Sequence, residues 1–132
     1  MIYLDSCALV KLVTPAPETP ALERYLREHA AEHHVASALV RTEVRRALAR
    51  VSATARQRST ADKLLDAVIT ISITDDLLDE AGRLPDAGLR SLDAIHLATA
   101  LHLGSGLSEF VTYDRRLLAA AGRAGLATAA PR

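Results

Sequence analysis

Apolar and polar positions alternate along the chain in two rhythms, short apolar runs and longer stretches with helical spacing. Met1-Ile2-Tyr3-Leu4 is an apolar run ending at Asp5, which predicts a strand buried on both faces. Residues 6 to 13 predict a short helix, stopped by Thr14-Pro15-Ala16-Pro17. A second helix is predicted over residues 18 to 31, with Leu22, Tyr25, Leu26 and His29 on one side, and a brief strand over His34 to Ala36. Ser37 to Val51 then carries Leu39, Val44, Ala47, Leu48 and Val51 at helical spacing, and residues 57 to 68 carry Ala61, Leu64, Leu65 and Val68 in the same way.

The second half repeats the alternation. Val68 to Ile73 is rich in β-branched residues and predicts a strand. Thr74-Asp75 caps a helix bearing Leu77, Leu78, Ala81 and Leu84, with Pro85 just beyond. Ser91 opens a helix that is apolar almost all round, expected to be the most buried, and Gly104 ends it. Phe110-Val111-Thr112 predicts a strand leading to Asp114, Arg115 to Ala121 a helix closed by Gly122, and Leu126 to Ala129 a last strand. Strands alternating with helices imply a parallel sheet covered on both faces. With no repeat, linker or low-complexity segment, residues 1–132 read as a single α/β domain.

Composition narrows the function classes. The chain has one Phe, three Tyr and no Trp, which argues against an aromatic stacking platform for single-stranded nucleic acid. Sixteen acids balance sixteen bases, so net charge does not favour a polyanion, but the distribution is uneven. Arg41, Arg45, Arg46, Arg50, Arg56, Arg58 and Lys63 gather in one segment, and the Arg preference suits phosphate as well as a solvated helix face. Cys7 is the single cysteine, which excludes an internal disulfide and fits a reducing, cytoplasmic setting. Following a buried strand, it reads as a small packed hydrophobe. No apolar run approaches a membrane span, and no signal-peptide layout is present.

The candidate chemistry lies in four acids. Asp5 and Asp114 each follow an apolar run and precede a helix, where open parallel sheets collect functional residues. Asp93 lies in the first turn of the buried helix, and Glu43 in the first turns of the helix leaving the second strand. Together they would disfavour one another's charge in a cleft, a conflict that a bound Mg²⁺ or Mn²⁺ resolves. Such ions support hydrolytic phosphodiester chemistry. Each acid also has a purely structural reading: Asp114 as a helix cap, Asp93 as a dipole partner, Glu43 paired with Arg46 or Arg50, and Asp5 as a turn former.

At these residues the sequence resembles the PIN-domain family, and within it the VapC-type toxins of bacterial toxin–antitoxin pairs. The matching segments are Ile2 to Leu12, Ser37 to Ala47 around Glu43, Ser91 to Ala100 around Asp93, and Val111 to Leu117 around Asp114. The order and spacing extend over essentially the whole chain. The resemblance implies a three-layer α/β/α fold with a central parallel sheet and a Mg²⁺- or Mn²⁺-dependent endoribonuclease. It also implies a homodimer, and a small cognate antitoxin that inserts a segment into the active site.

In that family setting, Asp5, Asp93 and Asp114 hold metal directly or through water, and Glu43 orients or deprotonates the attacking water. Ser6 supplies the hydroxyl that often follows the first Asp, whereas Cys7 departs from the usual Ser or Thr. Thr112 is expected to support Asp114 by a hydrogen bond. Arg115, Arg90, Lys11 or the Arg41–Arg50 face are candidates for substrate phosphates. His96, three residues after Asp93, reads as a core or supporting histidine before it reads as a ligand.

Competing readings fit less well. A haloacid-dehalogenase-like phosphatase wants a second acid two residues after the first, where Cys7 stands. A phospho-receiver domain places its acidic pair earlier than its acceptor Asp, which this order does not. A catalytically silent RNA- or antitoxin-binding module of the same fold is the non-enzymatic alternative, against which four intact acids count.

Overall fold

A computed structural model describes residues 1–132. Strands β1 (Ile2–Leu4), β2 (His34–Ser37), β3 (Ile69–Ile71), β4 (Glu109–Val111) and β5 (Thr128–Ala129) form one sheet. Its order is β3-β2-β1-β4-β5, and every neighbouring pair is parallel. Helices α1 (Ser6–Val13), α2 (Thr19–Glu28), α3 (Val40–Arg50), α4 (Ala55–Ala67), α5 (Asp75–Gly82), α6 (Ser91–His102) and α7 (Arg115–Arg123) connect the strands.

The three layers follow from the two-residue period of a strand. On β1, Ile2 and Leu4 point to one face, where they join Leu9, Leu22, Val44 and Leu65 from α1 to α4. Tyr3 points to the other face and packs with Leu97 and Ala100 of α6, Phe110 of β4, and Leu117 of α7. All three β1 residues are buried, as a strand covered on both faces requires. The expected α/β/α sandwich with a central parallel sheet is therefore the observed fold.

Chain direction fixes where a site can form. From β1 the chain moves outward on one side to β2 and β3, then crosses back to β4 and β5 on the other. Neighbouring strands β1 and β4 thus send their helices to opposite faces, and their carboxyl ends diverge around a crevice. Asp5 follows β1 and Asp114 lies just beyond β4, so both sit at that crevice.

Several boundaries differ from the sequence expectation. Ser37 belongs to β2, paired with Ile71, so α3 starts only at Val40. Thr54 and Gln57 form a reciprocal capping box that starts α4 at Ala55, two residues early. Helix α7 runs through Gly122 to Arg123, and the left-handed residue beyond it is Gly125 (φ +87°). In α6 burial is concentrated at His96 to Ala100, while Leu92 is 48% exposed. No helix is long and apolar enough to cross a membrane.

Candidate active site

The site is built where β1, β4, α3 and α6 meet. Asp5 is the N-cap of α1: its Oδ1 accepts from the Ala8 backbone N–H at 2.9 Å, and its Oδ2 accepts from the Thr112 hydroxyl. The register explains the second bond. Leu4 pairs with Val111, so the next residues along the two strands, Asp5 and Thr112, are side by side. Thr112 was expected beside the Asp114 carboxylate; instead its hydroxyl serves Asp5 and accepts from the Asp114 backbone N–H at 3.1 Å.

Asp114 is a helix cap, as its structural reading required. Its Oδ1 accepts from the backbone N–H groups of Arg116 (2.8 Å) and Leu117 (3.0 Å). Both bonds use one oxygen, so Oδ2 has no protein partner. Capping and a ligand role are compatible at this residue. Asp93, in the first turn of α6, makes no side-chain hydrogen bond, which leaves both oxygens unengaged. Glu43 does not pair with Arg46 or Arg50: its Oε2 lies 2.7 Å from His96 Nε2, and Oε1 is unengaged.

A cleft of about 670 Å³ opens over this corner, lined among others by Ser6, Cys7, Glu43, Arg46, Arg50 and Asp114. Asp5 lies beneath it, 1% exposed, and Asp93 is half-buried. Cys7 is exposed, contrary to the packed role expected of it, because Ala8, Leu9 and Val13 form the buried face of α1. On its cleft side, partial burial and then the charges of Asp5, Asp114, Asp93 and Glu43 push the thiol up to about 12. One sulfur is thus within electrostatic reach of all four acids.

The acids act on one another in the same sense. Burial, aided by the Glu43 charge, pushes the Asp5 carboxyl up to about 6 against the hydrogen bonds from Thr112 and Ala8. Burial and then the Asp114 charge raise that of Asp93. The four share one electrostatic neighbourhood, yet no three Asp, Glu, His or Cys side chains converge tightly enough to hold one ion among them.

The basic residues separate once their partners are identified. Arg41 pairs with Asp66 (3.8 Å) and Arg45 with Asp62 (2.8 Å), while Arg46 and Arg50 make no ion pair and line the cleft. Lys11 also lines it, bonded to Glu18 at 2.8 Å and 4.8 Å above the Tyr113 ring. Arg115 lies along a neighbouring groove with Arg116 and Arg123. Tyr3, read from the sequence as core alone, carries a hydroxyl 2.7 Å from His96 Nδ1. Only the packing of α6 against the sheet, absent from a pattern reading, brings it there.

Comparison with known proteins agrees with this architecture. Residues 2–123 match the family model described as PIN domain. The chain is 45% identical over 130 residues to Ribonuclease VapC46 of Mycobacterium tuberculosis, covering 98% of this chain and 97% of that protein. It is 40% identical to Ribonuclease VapC47 of the same species over 133 residues, covering 99% and 97% respectively. Among solved structures, VapC20 of M. tuberculosis, a sarcin–ricin-loop-cleaving toxin, superposes with a TM-score of 0.73 over 99% of this chain and all of that one. At 19% identity, that match speaks for the fold. From fold, family match and near full-length relatives together, the chain belongs to the PIN-domain family and, within it, to the VapC type.

Proposed function

We propose that this protein is a divalent-metal-dependent endoribonuclease, the toxin of a toxin–antitoxin pair, with Asp5, Glu43, Asp93 and Asp114 as its catalytic set. The observation that carries the reading is a cleft lined by Glu43, Asp114 and two arginines without ion pairs, with Asp5 and Asp93 near enough for their charges to act on Cys7 beside it. The ribonuclease names of the relatives, at full-length coverage, support it.

The donor set suits a hard cation. Unengaged carboxylate oxygens remain on Asp93, Asp114 and Glu43, and Mg²⁺ or Mn²⁺ favours one or two such ligands with waters completing the shell. A closed all-protein cage, which these side chains do not form, is not needed. Asp93 and Asp114 would hold the ion directly, with Asp5 behind them holding it through water. When bound, it supplies neutralisation of phosphate charge and a lowered pKa for water.

The chain's own residues do the rest. Arg46 and Arg50, free of carboxylate partners, bind backbone phosphates and set the RNA across the cleft. Glu43 Oε1 orients a water toward the scissile phosphorus and takes its proton as the new P–O bond forms. The bond to the leaving sugar oxygen breaks, and that oxygen takes up a proton from solvent. A small cognate antitoxin and a homodimeric assembly belong to the same reading.

Brief expression of wild type beside Asp93→Asn, with RNA 5′ ends mapped across the transcriptome, tests this reading. Asp93 is the choice because its carboxylate holds no helix cap or core bond. Discrete new ends are expected with wild type only, and purified protein should reproduce them with Mn²⁺ and lose them with chelator. Identical maps from two folded, antitoxin-free proteins would remove the nuclease reading. Tight RNA binding without cleavage in Mn²⁺ would favour a binding module in its place.

A further inference from the structure

Glu43 is held from beneath by a buried chain of polar groups. The Ser37 backbone N–H donates to the Tyr3 hydroxyl at 3.1 Å, that hydroxyl lies 2.7 Å from His96 Nδ1, and His96 Nε2 lies 2.7 Å from Glu43 Oε2. Tyr3 is completely buried and His96 is 1% exposed. The Tyr3 ring stacks on Phe110 with centroids 4.9 Å apart and meets the His96 ring edge-on at 6.0 Å, so neither ring is free to turn.

Counting protons gives the chain a direction. A carboxylate accepts only, so the proton between His96 and Glu43 comes from Nε2. The Tyr3 oxygen already accepts from Ser37, and its own proton is available to His96 Nδ1, 2.7 Å away. The Thr99 hydroxyl donates elsewhere, to the Ile95 carbonyl at 2.6 Å. Burial raises the Tyr3 hydroxyl far above its ordinary pKa, so it keeps that proton. That arrangement places the ring's hydrogen on Nε2, facing Glu43.

The chain ends on the carboxylate with the most ways to go astray. Glu43 shares the cleft-facing side of α3 with Arg46 and Arg50, one and two turns further on. Untethered, a flexible glutamate three residues from an arginine folds onto it as an ion pair. We propose that His96 is a positioning residue: its Nε2–H, set by the Tyr3 hydroxyl, fixes Glu43 by one oxygen and leaves the other for water. The inference rests on Glu43 being the group that orients the attacking water.

Three variants and one spectrum test it. His96→Leu removes the donor, His96→Gln keeps an amide N–H in its place, and Tyr3→Phe removes the hydroxyl while keeping the ring stack. Each is assayed with Mn²⁺ and saturating protein on a randomised single-stranded RNA reporter, giving a single-turnover rate and, separately, RNA affinity. His96→Leu should lose about 10- to 100-fold in rate, the range typical of groups that orient ligands. RNA affinity should change less than about threefold, His96→Gln should recover most of the rate, and Tyr3→Phe should fall between. An unchanged rate in His96→Leu, or rate and affinity falling in parallel, overturns the proposal.

Nitrogen-15 spectra of the metal-free wild type decide the tautomer whether or not the variants fold. Protonated Nε2 with bare Nδ1 is expected; a proton on Nδ1 overturns it. That spectrum needs no activity. Wild type that shows this tautomer but never cuts RNA would remove the nuclease reading instead, and with it Glu43's water.

Discussion

At the residue scale, Asp5 is held at a cost that pH exposes. Its folded carboxyl, pushed up to about 6 from an ordinary 3.8, binds a proton more readily than in the unfolded chain. Between those values the native state carries more protons, so stability falls as pH rises. The penalty is absent below pH 3.8 and fully present above about 6, where it amounts to about 3 kcal/mol. Asp5→Asn removes this titration. In metal-free protein, the difference in unfolding free energy between wild type and Asp5→Asn should therefore move in favour of wild type as pH falls from 7 to 4. Denaturant titrations across that range measure it, and a difference that stays flat contradicts the burial account. A bound divalent cation would counter the same penalty.

Residues also mark how far sequence reasoning reached. Asp5 and Asp114 were legible because an apolar run followed by an acid and a helix is a local pattern. Glu43 and Asp93 were legible from their place in the first turns of α3 and α6. The partner of Thr112 was not, since the choice between Asp5 and Asp114 depends on the register of strands 107 residues apart. The Tyr3–His96–Glu43 chain was hidden because its three residues come from one strand and two helices, joined only by how α3 and α6 pack. Cys7 was misplaced because burial of α1 is set by what α3 and α4 leave open.

At the scale of elements, helices were readable and their ends less so. Gly122 looked like a stop signal, yet it is helical with open space where a side chain would go, while Gly125 takes the left-handed turn. The two glycines should therefore respond oppositely to alanine. Gly122→Ala should stabilise by up to about 1 kcal/mol, since alanine is the better helix former. Gly125→Ala should destabilise by about 1 kcal/mol or more, the cost of a Cβ at positive φ. Thermal unfolding of the two variants gives the signs; the same sign for both would place the stop at the wrong residue. Helix α6 teaches a related lesson. Its sequence is apolar nearly all round, but one end of that surface, at Leu92, borders the cleft and is half exposed.

For the whole molecule, two apolar layers share one sheet. Leu65 packs in the layer of α1 to α4 and Leu117 in the layer of α6 and α7, each 1% exposed. Because β1 contributes alternately to both, we expect one cooperative unit. Leu65→Ala and Leu117→Ala should each lower stability by about 2–5 kcal/mol. Both should shift a single denaturant transition without changing its slope. Separate transitions for the two layers would divide the molecule into two folding units. The three-layer architecture was legible from alternation of elements; strand order was not, because pattern does not say which strands are neighbours.

That strand order also governs when the crevice acquires its second wall. The strand bearing Asp5 is made first but stays half-walled until β4 arrives, more than 100 residues later, with Thr112 and Asp114 close behind. A growing chain on a ribosome carries Asp5 from the outset and lacks Asp114 until β4 has been made. Chains released before β4 are missing one wall of the crevice, Thr112 and Asp114 included. The topology thereby ties completion of the proposed site to synthesis through β4, so the order of the strands doubles as a clock.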